Sequence, residues 1–188
     1  MLTNCRCKQV PRLAGGGRNI KSVGLSQRRR RRGGSICVEG CPGLIVWTLV
    51  SVVRATARDK VLLVDLGITH VVNAADGPRH IDTGPQFYRH TGIRYHGVEA
   101  ADCRDFDLSP FFTETADFIH AALTQNGKVL VHCARGVSRS AALTLAFLML
   151  KEGLTLVGAL QAVRRHRNIL PNAGFLHQLR LLDASLVL

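Results

Sequence analysis

No apolar run of roughly 18 residues free of charge occurs in the chain, which argues against a membrane-spanning helix. The stretch Leu44 to Val53 is apolar but too short to span, and it lies well inside the sequence, where a secretory signal is not expected. The 6 cysteines follow no regular framework, so a disulfide-stapled fold is not expected. Cys5-x-Cys7 and Cys37-x3-Cys41 are irregular against the spacings of structural zinc sites, and no metal is expected. Internal repeats are absent. Acidic residues are scarce, 13 against 25 lysines and arginines, for a net charge of +12. That excess suggests a nucleic-acid binder until its location is read. Residues 1–60 hold 13 basic and 2 acidic residues, whereas residues 61–188 hold 12 and 11. The imbalance belongs to a tail. No aromatic side chain interleaves the run Arg28 to Arg32, so base stacking has no platform and no nucleic-acid partner is expected. A run of this kind repels itself and stays solvated; it is a candidate nuclear-import patch.

What is present divides into three parts. Residues 1–36, with Gly15-Gly16-Gly17 and the arginine run, read as a disordered basic tail. Residues 37–56 form an atypical segment of uncertain structure. Residues 57–188 show the ordered patterning of one domain with a substantial core. There, Lys60 to Leu66 reads as a short helix, Thr69 to Ala74 as a buried strand, Gly77 to Pro85 as a loop and Ile93 to Val98 as a second strand. Ser109 is the expected cap of a helix to about Leu123, with Phe112, Ala116, Ile119 and Leu123 near one face. Asn126-Gly127 turns the chain into a strand that ends at Val131. Ala141 to Leu150 is apolar nearly all round, as a central buried helix is. Thr155 caps a helix to about Arg167, Pro171 breaks the pattern, and Ala173 to Leu186 is the last helix. The expected class is α/β: a central, mostly parallel sheet flanked by helices, with a phosphate-binding loop between a strand and a buried helix.

That loop is His132-Cys133-Ala134-Arg135-Gly136-Val137-Ser138-Arg139-Ser140. The thiolate is the nucleophilic form of cysteine, and a helix N-terminus favours negative charge. The segment from Ala134 to Ser138 can curl so that successive N–H groups face inward and make an anion nest. Gly136 allows backbone angles that other residues avoid. Arg139 offers a planar fork to two phosphate oxygens. Ser140 can donate to the sulfur and improve it as a leaving group, and His132 is expected to hydrogen-bond and fix the loop, to be a satisfied core histidine, or both. The predicted substrate-binding set is therefore His132, Ala134, Arg135, Gly136, Val137 and Ser138. A leaving alkoxide also needs a proton, which a loop carboxylate among Asp102, Asp105 and Asp107 can supply. Asp105 and Asp107 read as solvated loop charges or helix N-terminal charges. Asn172 either braces the loop or merely turns the chain after Pro171. Cys133 has to be a free thiol to act, which favours a reducing, cytoplasmic setting.

HCARGVSRS resembles the signature loop of the cysteine-dependent protein phosphatases, specifically their dual-specificity branch. From about Ala57 to Leu186 the chain resembles the small, atypical members of that branch, the muscle- and testis-type ones most. Gly67-Ile68-Thr69-His70-Val71-Val72-Asn73-Ala74, the segment Phe106 to Phe112, and Leu170-Pro171-Asn172-Ala173-Gly174-Phe175-Leu176 carry the likeness. It implies Cys133 as nucleophile, Arg139 as phosphate binder and Asp102, upstream of Phe106-x-Leu108-Ser109, as general acid, with no cofactor. The implied activity is hydrolysis of phosphotyrosine and phosphoserine or phosphothreonine in protein substrates. The likeness stops at the N-terminal end. Pro42-Gly43-Leu44 and Ala57-Arg58-Asp59 survive as flanks, but Ile45 to Thr56 is longer than the family spacing and lacks its Gly-Asp step. An edge strand is then missing or replaced, and a catalytically impaired scaffold protein is the alternative. A phosphotyrosine-only enzyme carries a loop resembling HCSAGIGRTG, which this is not. A phosphoinositide phosphatase often has lysine inside the loop, and Ala134, Gly136 and Val137 provide none. An RNA 5′-phosphatase has only the basic tail in its favour.

Overall fold

Two features fix the architecture: short parallel strands, two of them buried throughout, and a helix that is buried on every side. The structure, a computed structural model, describes residues 36–37, 45–46, 54–78 and 81–186. Of the expected N-terminal features, only residue 36 of the basic tail and residues 37, 45–46 and 54–56 of the atypical segment fall within that range. The arginine run, Gly15 to Gly17, Cys5, Cys7 and Cys41 lie outside the described residues. Two short strands at the margin, β1 (Ile36–Cys37) and β2 (Ile45–Val46), pair antiparallel as a separate two-stranded sheet.

The main sheet has three strands in the order β4-β3-β5, where β3 is His70–Asn73, β4 is Arg94–Gly97 and β5 is Val129–His132. Both neighbours run parallel to β3, and Asn73 is level with Gly97 on one side and His132 on the other. Side chains alternate across such a sheet. Val72, Val129 and Val131 pack into one core cluster with α4 (Phe112–Thr124), α5 (Arg139–Glu152), α6 (Leu156–Arg164) and α7 (Ala173–Leu186). Val71 and Leu130 face the other way, onto a smaller cluster with Ala57, Leu63, Ile68, Tyr88 and Ile93. These come from α1 (Arg54–Ala57), α2 (Lys60–Asp65) and the region of α3 (Gly84–Phe87). The α/β class with helices on both faces of a parallel sheet is the one expected. α5 runs through the larger cluster, with Arg139 to Met149 buried without interruption.

Three local expectations change. The loop predicted from Gly77 to Pro85 ends early, because Pro85 sits at the start of α3, where its fixed φ suits a first turn. Ser109 does not cap α4. It opens a 3-10 turn (Ser109–Phe111), and the Asp107 carboxylate accepts from its N–H at 3.0 Å and its hydroxyl at 2.6 Å. Asp107 is therefore a turn-forming acceptor rather than a merely solvated charge. α6 begins as expected, with the Thr155 hydroxyl accepting from Gly158 N, but ends at Arg164, three residues before Arg167. On α4 the buried face is Phe112, Thr115, Ala116, Ile119 and Ala122, while Leu123 is half-buried at its edge.

Candidate functional site

Parallel strands deliver their C-terminal ends to one edge of the sheet, where α/β proteins bind ligands. β5 ends at His132, and the next residue, Cys133, is buried. Gly136, at φ +71°, takes the left-handed conformation that the loop needs to double back. Its N–H donates to Cys133 Sγ at 3.2 Å. Ser140 Oγ lies 3.3 Å from the same sulfur. A thiolate has no proton to give, so against an anionic sulfur the serine is the donor. α5 starts at Arg139 with no side-chain cap and no acid in its first turn, so its N-terminal amides and dipole are left for an anion.

The Arg139 side chain is 6% exposed. Its Nη1 donates to the Ala100 carbonyl at 2.9 Å, while its Nε has no hydrogen-bond partner among the described residues. Asp102 Oδ2 is 3.7 Å from that nitrogen, an ion pair too long for a hydrogen bond. A buried donor without an acceptor is destabilising by about 1–3 kcal/mol. An oxyanion in the cradle would remove that penalty.

Asp102 itself is fastened from two sides. Ser138 Oγ donates to its Oδ1 at 2.6 Å, and Asn172 Nδ2 donates to the same oxygen at 3.2 Å. Oδ2 makes no hydrogen bond among the described residues and lies by Arg139 Nε, which leaves it open to carry a proton. Asn172 is the hub of this arrangement. Its N–H donates to Ser138 Oγ, its Nδ2 also reaches the Cys103 carbonyl, and its Oδ1 accepts from Phe175 N as α7 begins. It braces the loop and turns the chain at once. Ser138 serves the site through Asp102, since its hydroxyl is engaged there. Ala134 and Arg135 are exposed at the rim, and Val137 is half-buried.

His132 is fully buried, and neither ring nitrogen makes a well-aligned hydrogen bond among the described residues. Burial pushes its pKa down to about 4, against the weaker opposing pull of the Cys133 main chain and the Asp76 carboxylate. Desolvation outweighs both, so the buried ring is held neutral.

Four supporting residues escaped the sequence reading. Asn73, at the end of β3, reaches the Ile81 carbonyl at 2.8 Å and the Tyr95 hydroxyl at 2.9 Å, and its Oδ1 accepts from Ala75 N. Tyr95 in turn donates to Asp76, and burial raises its pKa to about 12. Gln178, one turn beyond Gly174 on α7, donates to the Phe106 carbonyl and accepts from Leu108 N, both at 2.9 Å. Arg167 donates through Nη2 to the Gly136 carbonyl. The polar Asn73 closing an apolar strand was the one readable signal.

The fold and site define an anion cradle wrapped around a cysteine, with a carboxylate pinned beside it. The pattern of the dual specificity phosphatase catalytic domain matches residues 51–184, and the chain belongs to that family. Over 131 residues it is 59% identical to the human dual specificity protein phosphatase 13B, and 56% identical to the mouse protein of the same name. Each match covers 69% of this chain and 66% of the relative, just under two thirds of that protein's length. Among solved structures, a mouse putative dual specificity phosphatase in complex with zinc tungstate superposes with TM-score 0.66 at 30% identity, covering 87% of this chain and 94% of that one. A human tyrosine phosphatase-like serine/threonine/tyrosine-interacting protein gives TM-score 0.62 at 31% identity, covering 84% and 100%.

Proposed function

We propose that the chain hydrolyses phosphate monoesters on phosphotyrosine and phosphoserine or phosphothreonine of protein substrates through a cysteinyl-phosphate. The observation that carries this reading is the buried Arg139 Nε, a donor without an acceptor, in the loop whose Gly136 N–H already meets Cys133 Sγ. Cys133 thiolate attacks phosphorus in line; the S–P bond forms as the P–O bond to the substrate breaks. Arg139 and the loop amides hold the equatorial oxygens where charge accumulates. The leaving oxygen takes the proton from Asp102. Water then attacks phosphorus and gives its proton to the Asp102 carboxylate, while the S–P bond breaks and Ser140 donates to the departing sulfur. His132 supports the loop by packing, and Ala134, Arg135, Gly136, Val137 and Ser138 form the cradle and its rim. Arg135 at the rim favours substrates with acidic neighbours.

In this reading the catalytic domain is residues 57–188, preceded by a basic tail (1–36) and an atypical segment (37–56). The protein works in the cytoplasm, with the arginine run giving access to the nucleus. Cys133, Arg139 and Asp102 are all retained, and that weighs against a purely scaffolding role. The test is full-length protein on aryl phosphate and a panel of phosphopeptides. Cys133→Ser is expected to abolish turnover while retaining binding of tungstate, a tetrahedral oxyanion like phosphate. Turnover that survives Cys133→Ser would refute the proposal.

A further inference from the structure

Arg167 sits past the end of α6 and half-buried, and nothing in the proposed chemistry uses it. The segment it opens runs alongside the signature loop and ties three successive residues of it. Arg167 Nη2 donates to the Gly136 carbonyl, Leu170 N to the Val137 carbonyl at 2.9 Å, and Asn172 N to Ser138 Oγ at 3.1 Å. Among the described residues no peptide bond is cis. In a planar trans peptide the N–H points away from the C=O that shares its plane. With the Gly136 and Val137 carbonyls held on the strap, the N–H groups of Val137 and Ser138 face the opposite side, away from the strap. Gly136 N–H meets the sulfur on that inner side. The strap therefore orients the amides that make the nest.

Resting on the phosphatase reading, we infer that Arg167 is a positioning residue of this site: it fixes the amide nest through the Gly136 carbonyl. The electrostatics agree. Burial lowers the pKa of Arg167, and the opposing pull that keeps it charged comes from Cys133. Among the described residues, the other charged or titratable groups that the loop brings to this site are Arg139 from α5, Asp102 paired with it from the preceding loop, and neutral His132 from β5.

The test uses full-length protein, Arg167→Met and Arg167→Lys, with thermal unfolding checked for each. Alkylation of Cys133 by iodoacetamide is followed by peptide mass spectrometry, which separates it from exposed Cys103. Tungstate, held by the nest amides, should protect Cys133 in the wild type, and Arg167→Met, which loses the donor to Gly136, should need about tenfold more tungstate for the same protection. Arg167→Lys, which keeps a cationic donor, should recover most of the loss. Equal protection of wild type and Arg167→Met, or Arg167→Lys no better than Arg167→Met, would overturn the inference. A wild type that tungstate does not protect would sink the phosphatase reading beneath it.

Discussion

His132 makes stability depend on pH in a window that can be calculated. The unfolded chain binds a proton at this ring near pH 6.5, whereas burial holds the folded ring neutral down to about pH 4. Between those values the unfolded state carries the extra proton, so stability falls as the solution is acidified, and this loss levels off below the folded value. Each unit of pKa difference corresponds to about 1.4 kcal/mol, which puts the full effect on the order of 3 kcal/mol. His132→Asn removes the titration. It also disturbs packing, but that penalty is the same at every pH and cancels when pH dependences are compared. His70 and His96, whose pKa values are also lowered by burial, titrate in both proteins and cancel likewise. Urea unfolding of wild type and variant across the window is the assay. The variant should lose about 3 kcal/mol less than wild type on going from neutral pH to about pH 4. Parallel pH dependences would refute the neutral, desolvated ring.

Other consequences concern the acid and the core. Asn172→Ala removes a donor to Asp102; about 1 kcal/mol of lost positioning predicts a roughly fivefold lower kcat on an alkyl phosphate, with little change on an aryl phosphate whose leaving group needs no proton. Gly174→Ala would drive a Cβ into the Arg104 backbone, two residues past Asp102, so it should displace the acid loop and show the same leaving-group dependence. Phe147→Ala empties a fully buried position on α5 and should destabilise by about 3–5 kcal/mol in urea unfolding.

The elements that local chemistry decides were legible. α7 begins two residues after Pro171, at Ala173, and runs to Leu186 as expected. α5 declared itself by being apolar all round, and the signature loop is contiguous in sequence, so its members needed no tertiary information to be grouped. What failed was long-range or competitive. Arg167 looks like one more residue of a basic helix end, and its partner Gly136 is 31 positions away. Ser109 looks like a cap, but Asp107 takes its donors first. The lowered pKa of His132 comes from its burial, which no local pattern conveys. The hold of Asn172 on Asp102 joins segments 70 residues apart, which no spacing rule conveys.

The covalent step is the most direct test of the whole account. Full-length protein is mixed with aryl phosphate, quenched in acid and digested, and the peptide containing Cys133 is weighed. The account predicts a mass increase of one phosphoryl group on Cys133, lost in Cys133→Ser and accumulating in a Ser140→Ala protein, whose sulfur departs more slowly. Turnover with no phosphoryl group on that peptide in either the wild type or the Ser140→Ala protein would contradict it.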